Sequence, residues 1–169
     1  AEMPKNKIAS FTTLADGTAT MILRAKEPTI ICIDWKGAGM AVETYSVSDD
    51  ILTTEIKTYP NSNCAIYSYD DNCPLYVLNI TGAKLADVDL SNMKNLVLAA
   101  VINAGIDAIK LPDTNTLTEL KLDYNNFTSI DLSRYAAQLG LLSMNNNQLT
   151  AFDATGMDNL FSLSLANNA

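Results

Sequence analysis

The sequence predicts two β-rich units in tandem. A small antiparallel β-sandwich-like domain covers residues 1–74. A right-handed solenoid covers residues 75–169, with parallel strands on its concave face and a mostly irregular convex side. Three observations predict this. Apolar residues recur every 21 or 22 positions from Leu75 onward, a period typical of solenoids, whose repeats bury their apolar faces only by stacking. Residues 8–73 divide into short β-prone runs punctuated by Gly, Pro, Asn and Asp. No stretch of this first half carries a 3.6-residue apolar period over a helical length.

In chain order, Ile8–Leu14 and Thr18–Arg24 read as strands joined through Ala15-Asp16-Gly17. Asp-Gly between two such runs predicts a hairpin, because both residues tolerate positive φ. Thr29–Trp35 follows and is broken by Gly37-Ala38-Gly39. Val42–Val47 alternates, Leu52–Tyr59 stops at Pro60-Asn61-Ser62-Asn63, and Cys64–Tyr69 runs into Asp70-Asp71-Asn72-Cys73-Pro74. Strands at this spacing suit a sandwich or barrel-like sheet. A solenoid's first repeat exposes an apolar end, so the predicted role of this module is to cap it, with Trp35 in its core.

Repeats open at Leu75, Leu96, Leu117, Leu139 and Leu160, the last of them incomplete. Each places apolar residues at offsets three and five: Leu78 and Ile80, Ala99 and Val101, Leu120 and Leu122, Leu142 and Met144, Leu163 and Leu165. The first six residues of each unit therefore read as a strand with these side chains inward. Three further inward sets are expected on the return path. Offset ten gives Leu85, Ile106, Phe127 and Leu149; offset thirteen gives Val88, Ile109, Ile130 and Phe152; offset fifteen gives Leu90, Leu111, Leu132 and Ala154.

Asn125, Asn147 and Asn168 stand at offset eight, where the chain turns sharply after the strand. A buried carboxamide offers two donors and an acceptor to backbone groups that have lost their sheet partners. Ala83 and Ala104 hold this position in the first two repeats, so the ladder is expected to begin at the third. Asp89-Leu90-Ser91, Asp131-Leu132-Ser133 and Asp153-Ala154-Thr155 recur at offsets fourteen to sixteen. Turn hydrogen bonding accounts for these acids. A calcium row is disfavoured because Lys110-Leu111-Pro112 interrupts it.

Composition narrows the function. The 169 residues carry 11 basic and 19 acidic side chains, a net charge of −8, which repels nucleic acid and anionic membranes. No apolar run reaches the ~18 residues of a membrane span. The chain opens Ala1-Glu2-Met3-Pro4 without an initiator Met, which reads as a processed or trimmed start. Histidine is absent, removing the commonest general base and metal ligand. Cys32, inside an apolar run, reads as a buried small hydrophobe. Cys64 and Cys73 either pair in an oxidising compartment or remain free thiols. No CxxC pair marks a zinc site. Asp49-Asp50 and Asp70-Asp71 are the adjacent carboxylate pairs, and both lie in turns without supporting motifs. The reading is therefore of a protein that is not an enzyme and has no cofactor, metal or catalytic residue.

The candidate contact surface is the concave side of the repeat strands. Leu98, Ala100 and Ile102 make its second strand apolar where it should meet water, which marks either a partner-binding surface or one covered by a loop of the first module. Glu119, Lys121, Asp123 and Tyr124 on the third strand, with Ser143 and Asn145 on the fourth, are charged, aromatic and amide-rich. They suit a protein partner and also a sugar's hydroxyls. Ala169 falls one residue before the next inward position, so Leu163 and Leu165 are expected to be exposed. That predicts either a homodimer through an open strand edge or a longer parent protein.

Residues 75–168 resemble the leucine-rich-repeat superfamily, and short bacterial repeats in particular. The match is best over Leu117-Thr-Glu-Leu-Lys-Leu-Asp-Tyr-Asn-Asn-Phe-Thr-Ser-Ile-Asp-Leu-Ser133. The first half, with its hairpin and Ile31-Cys-Ile-Asp-Trp35 strand, resembles the β-domain that precedes such repeats in secreted or surface proteins of gut bacteria. The resemblance implies an exported, extracellular or cell-surface, often lipid-anchored protein that binds without catalysis. Its expected role is protein interaction or adhesion through the concave sheet, with a carbohydrate-binding accessory protein as the alternative.

Overall fold

The computed structural model describes residues 4–15, 18–57 and 59–169. The chain is all-β and nearly helix-free, with a β-solenoid of about four turns. Its strands are β1 (Asn6–Thr13), β2 (Thr18–Ala25), β3 (Thr29–Asp34), β4 (Val42–Val47), β5 (Leu52–Lys57), β6 (Ser62–Ser68), β7 (Leu75–Thr81), β8 (Leu85–Asp89), β9 (Leu98–Ile102), β10 (Glu119–Lys121), β11 (Leu141–Ser143) and β12 (Ser162–Ser164). The helical content among the described residues is a single 3-10 turn, Ser133–Tyr135. No helix among them is long and apolar enough to cross a membrane.

Two sheets form. One runs β4-β3-β6-β1-β8 and is antiparallel throughout. The other runs β12-β11-β10-β9-β7-β2-β5. It is parallel from β7 to β12, where the repeats stack, and antiparallel where β7 meets β2 and β2 meets β5. The first repeat supplies a strand to each sheet, β7 to one and β8 to the other. Hydrogen-bonded pairing therefore crosses the expected 74/75 boundary twice, and one buried cluster extends from Ile31 and Trp35 to Leu142 and Met144.

The expected hairpin between the first two strands does not form. β1 pairs with β6 and β8, while β2 pairs with β5 and β7, so both edges of each strand are already taken. Asp16 and Gly17, which carried that expectation, lie outside the described residues. Turn chemistry is a local preference. It lost to the burial of Phe11 and Thr13 from one strand and Met21 and Leu23 from the other. The strand β8, on the return side of the first repeat, was not expected from the sequence.

Within the repeats, the inward positions at offsets zero, three and five are buried in the first four turns, and each fully buried leucine contributes roughly 1.5–3 kcal/mol. In the fifth turn Leu163 is 44% exposed. The offset-ten set is buried throughout. The other two return sets are mixed, with Val88, Leu90 and Leu132 buried as expected. Ile109, Leu111, Ile130 and Phe152 are half-buried against the core and Ala154 is exposed.

The asparagine ladder begins at the third repeat. Asn125 accepts from the backbone N–H groups of Ala104 (3.0 Å) and Ile106 (3.3 Å) and donates to the carbonyls of Val101 (2.8 Å) and Leu122 (3.0 Å). Asn147 accepts from Phe127 N–H (3.1 Å) and donates to Leu122 and Met144 carbonyls. Asn168 repeats the pattern on Leu149, Met144 and Leu165. Each carboxamide thus ties its own turn to the one before it.

The acids at offset fourteen close local turns. Asp89 accepts from the N–H and hydroxyl of Ser91, Asp131 from those of Ser133, and Asp153 from Thr155 N–H. These bonds favour the ionised form and hold all three carboxyls below the ordinary aspartate range. In the first module the buried Asp34 does similar work. It accepts from the N–H groups of Lys36, Gly37 and Gly39, closing a loop whose residues 37 to 39 all have positive φ. Trp35 is fully buried. Cys32, Cys64 and Cys73 are buried free thiols.

Candidate functional site

Side chains alternate across a strand, so burying Leu78, Ile80, Leu120 and Leu142 on one face turns a second set outward on the other. Strand register sets that outward set in rows. Val77, Leu98, Glu119, Leu141 and Ser162 lie side by side across five strands. Asn79, Ala100, Lys121, Ser143 and Ser164 form the next row. Of the residues named from sequence as a contact surface, Leu98, Ala100, Ile102, Glu119, Lys121 and Ser143 share this sheet face, and Asp123, Tyr124 and Asn145 follow the strand ends.

They are not equally available on it. Ala100 has no exposed surface, since its methyl group lies between Asn79 and Lys121 in the row and between Leu98 and Ile102 along its strand. Ala100 cannot touch a partner, which corrects its place among the expected contact residues. Leu98 and Ile102 stay half-exposed.

Asp123 and Asn145 are committed to internal bonds. Asp123 accepts from the Ser143 hydroxyl (2.7 Å) and the Asn145 N–H (2.6 Å). One turn on, Asn145 accepts from the Ser164 hydroxyl and the Ala166 N–H, both at 2.7 Å. This is a second polar ladder, outside the strands and parallel to the buried one. It stitches consecutive turns through one oxygen of Asp123, the Ser143 hydroxyl and the Asn145 carbonyl oxygen, leaving the second Asp123 oxygen available. By contrast, Glu119 and Lys121 sit between these groups and the apolar strand with no side-chain hydrogen bond or ion pair among the described residues.

Tyr124 stands apart through its backbone. Offset seven has positive φ in every repeat: Gly82 (89°), Asn103 (54°), Tyr124 (58°), Asn146 (59°) and Asn167 (56°). Four of these five are the residue types that tolerate the left-handed region, and the fifth is a bulky aromatic for which it is strained. The Tyr124 side chain is 58% exposed. It stands in the turn that follows the third strand, three residues beyond Lys121.

No family model, characterised protein or solved structure matches the chain. The surface must therefore be judged by its own chemistry. Leu98, Ile102, Glu119, Lys121 and Tyr124, with the second oxygen of Asp123, are the expected contact groups that remain free to meet a partner.

The sequence reading missed part of the face because it placed β2 in a hairpin with β1. Pairing with β7 instead sets Ile22 beside Asn79 and Arg24 beside Val77, extending the apolar patch by an isoleucine. Arg24 donates to the Asp49 carbonyl (2.9 Å) and carboxylate (3.1 Å), and the Tyr76 hydroxyl donates to the same carboxylate. The Tyr76 bond, reinforced by Arg24, holds the Asp49 carboxyl below its usual range, and the same bond pushes the Tyr76 hydroxyl up. This cluster anchors the loop between β4 and β5 at the margin of the face. Among the described residues no group of three or more His, Cys, Asp or Glu side chains is placed to hold a metal ion.

Proposed function

We propose that this chain is a non-catalytic recognition module that binds a protein partner on the open face of its seven-stranded sheet. The observation that carries this reading is Tyr124, an exposed aromatic held at a left-handed backbone position that four other repeats give to Gly or Asn. Strain of this kind persists at sites where a side chain is used. The adjoining sheet face carries the half-exposed Leu98, Ile102 and Leu141 and the unpaired Glu119 and Lys121. An apolar centre beside an aromatic anchor and a charged margin is the make-up of a protein interface.

On this reading residues 4–74 act as a sandwich-like cap on the first turn, and the repeats belong with the leucine-rich type. Support for the second point comes from the leucine spacing, the carboxamide ladder and the Asp-Leu-Ser turns. The likeness to bacterial surface repeats favours an exported protein displayed outside the cell, in adhesion or partner capture.

The test is affinity capture from candidate surface and extracellular proteins with wild-type protein, a Leu98→Asp, Ile102→Asp double variant and Tyr124→Ala. Circular dichroism confirms that each variant is folded. Partners should be lost or weakened at least tenfold in both variants. Survival of every identified partner in both would reject the face as the contact site. A carbohydrate-binding role is the second reading, favoured by the exposed Tyr124 ring but not by Trp35, which is wholly buried. Glycan-array signals abolished by Tyr124→Ala, with no protein captured, would establish it in place of the first.

A further inference from the structure

A cleft on the first sheet gathers cations in a chain that is otherwise acidic. Lys5, Lys7 and Lys94 line a space of about 390 Å3, within the ~300–1,000 Å3 typical of small-ligand sites. Three segments meet there: the start of β1, the turn after β6 and the turn after β8. Asn92 Nδ2 donates to the Lys7 carbonyl (3.1 Å), and Asn6 Nδ2 donates to the Asp71 carboxylate (3.1 Å). These bonds tie the segments together, and Asp89 beyond the lining lies near enough to Lys7 to feel its charge.

No described carboxylate lies within 4.0 Å of these three lysines; the ion pairs among the described residues are Arg24–Asp49 and Arg134–Asp113. Asp71 is the one acid in the lining, against three lysines, whereas the whole chain has 19 acids and 11 bases. A concave wall focuses such a local field, while the net charge of −8 disfavours anions elsewhere on the surface. Three strongly hydrated point charges suit a doubly charged group with several acceptor oxygens better than a single carboxylate.

We propose that this cleft binds a sulfate or phosphate group, free or carried on a small sugar. The site is separate from the open sheet face, so either assignment stands without the other. The test titrates isotope-labelled protein at constant ionic strength with sodium sulfate, sodium phosphate and a 6-sulfated monosaccharide, following backbone amide signals by NMR. Saturable shifts are expected at residues 5–8 and 92–94. A Lys7→Gln, Lys94→Gln variant should bind at least tenfold more weakly, with unchanged melting because both side chains are exposed. A Lys26→Gln, Lys84→Gln variant, exposed and outside the cleft, should bind as wild type. Tighter binding of the sulfated sugar than of free sulfate assigns the remaining space to the sugar ring, and equal binding assigns the site to the anion alone. Shifts that do not saturate, that spread over all lysines, or that survive in the Lys7, Lys94 variant overturn the site.

Discussion

Tyr124 is where a single residue departs from the pattern of its repeat, and its backbone makes the departure measurable. Left-handed φ in a non-glycine residue costs about 1–3 kcal/mol, and Asn bears it more easily than a bulky aromatic. Since the Tyr124 ring is more than half exposed, little packing offsets the strain. Tyr124→Asn, which restores the residue of three neighbouring repeats, should therefore stabilise the fold by about 1 kcal/mol, raising the melting temperature by about 2–4 °C. The same substitution should remove partner binding. A lower melting temperature would mean that the ring supports the fold, and the functional argument from strain would fail. At this scale the sequence was partly legible. Leucine spacing located Leu98, Glu119 and Lys121 on one face, and Asn at offset eight announced a carboxamide ladder. Ala100 was misjudged because alternation assigns a face but not the height of the neighbours. Offset seven did carry a signal, since Gly82, Asn103, Asn146 and Asn167 are the residue types that accept positive φ.

Among the elements, β6 shows how a central strand depends on its buried groups. It lies between β3 and β1 and carries Cys64, whose thiol burial, aided by the negative Asp34, pushes up to about 12 from an ordinary value of 9.0. The sign follows from proton counts. Below pH 9 the thiol is protonated in both folded and unfolded chains, and its full contribution to stability is present. Between pH 9 and about 12 the unfolded chain loses this proton while the folded one keeps it, so stability falls as pH rises, by at most about 1.4 kcal/mol per pH unit. Urea denaturation across this window should show the decline, and Cys64→Ala should reduce its slope. An unchanged slope in the variant would assign the alkaline loss to other groups, such as Cys73 and Tyr76, which shift in the same direction. All six strands expected before Pro74 are present, within a few residues of their expected ends. Their partners were not legible, because Asp16-Gly17 is a local signal. The pairing of β1 with β8 and of β2 with β7 depends on segments fifty or more residues away.

For the whole molecule, the shared first repeat decides how the chain unfolds. Solenoids are quasi-one-dimensional and can lose turns from an end, while a separate cap could melt at its own temperature. Here β7 is hydrogen-bonded to β2 on one side and β9 on the other, and β8 extends the first sheet beyond β1. Removing either half would strip partners from both sheets and open a cluster that runs unbroken from Trp35 to Met144. The fully buried Trp35 reports on the first sheet, and far-UV circular dichroism reports on the strands of both. Thermal and urea midpoints from the two signals should coincide, as two-state unfolding requires. The turn bearing β12, bonded on one side and with Leu163 half exposed, should exchange its amide hydrogens well before the inner turns of the solenoid. If Trp35 emission changes several degrees away from the dichroism midpoint, the two parts fold independently. The continuous sheet would then be a contact between separate units.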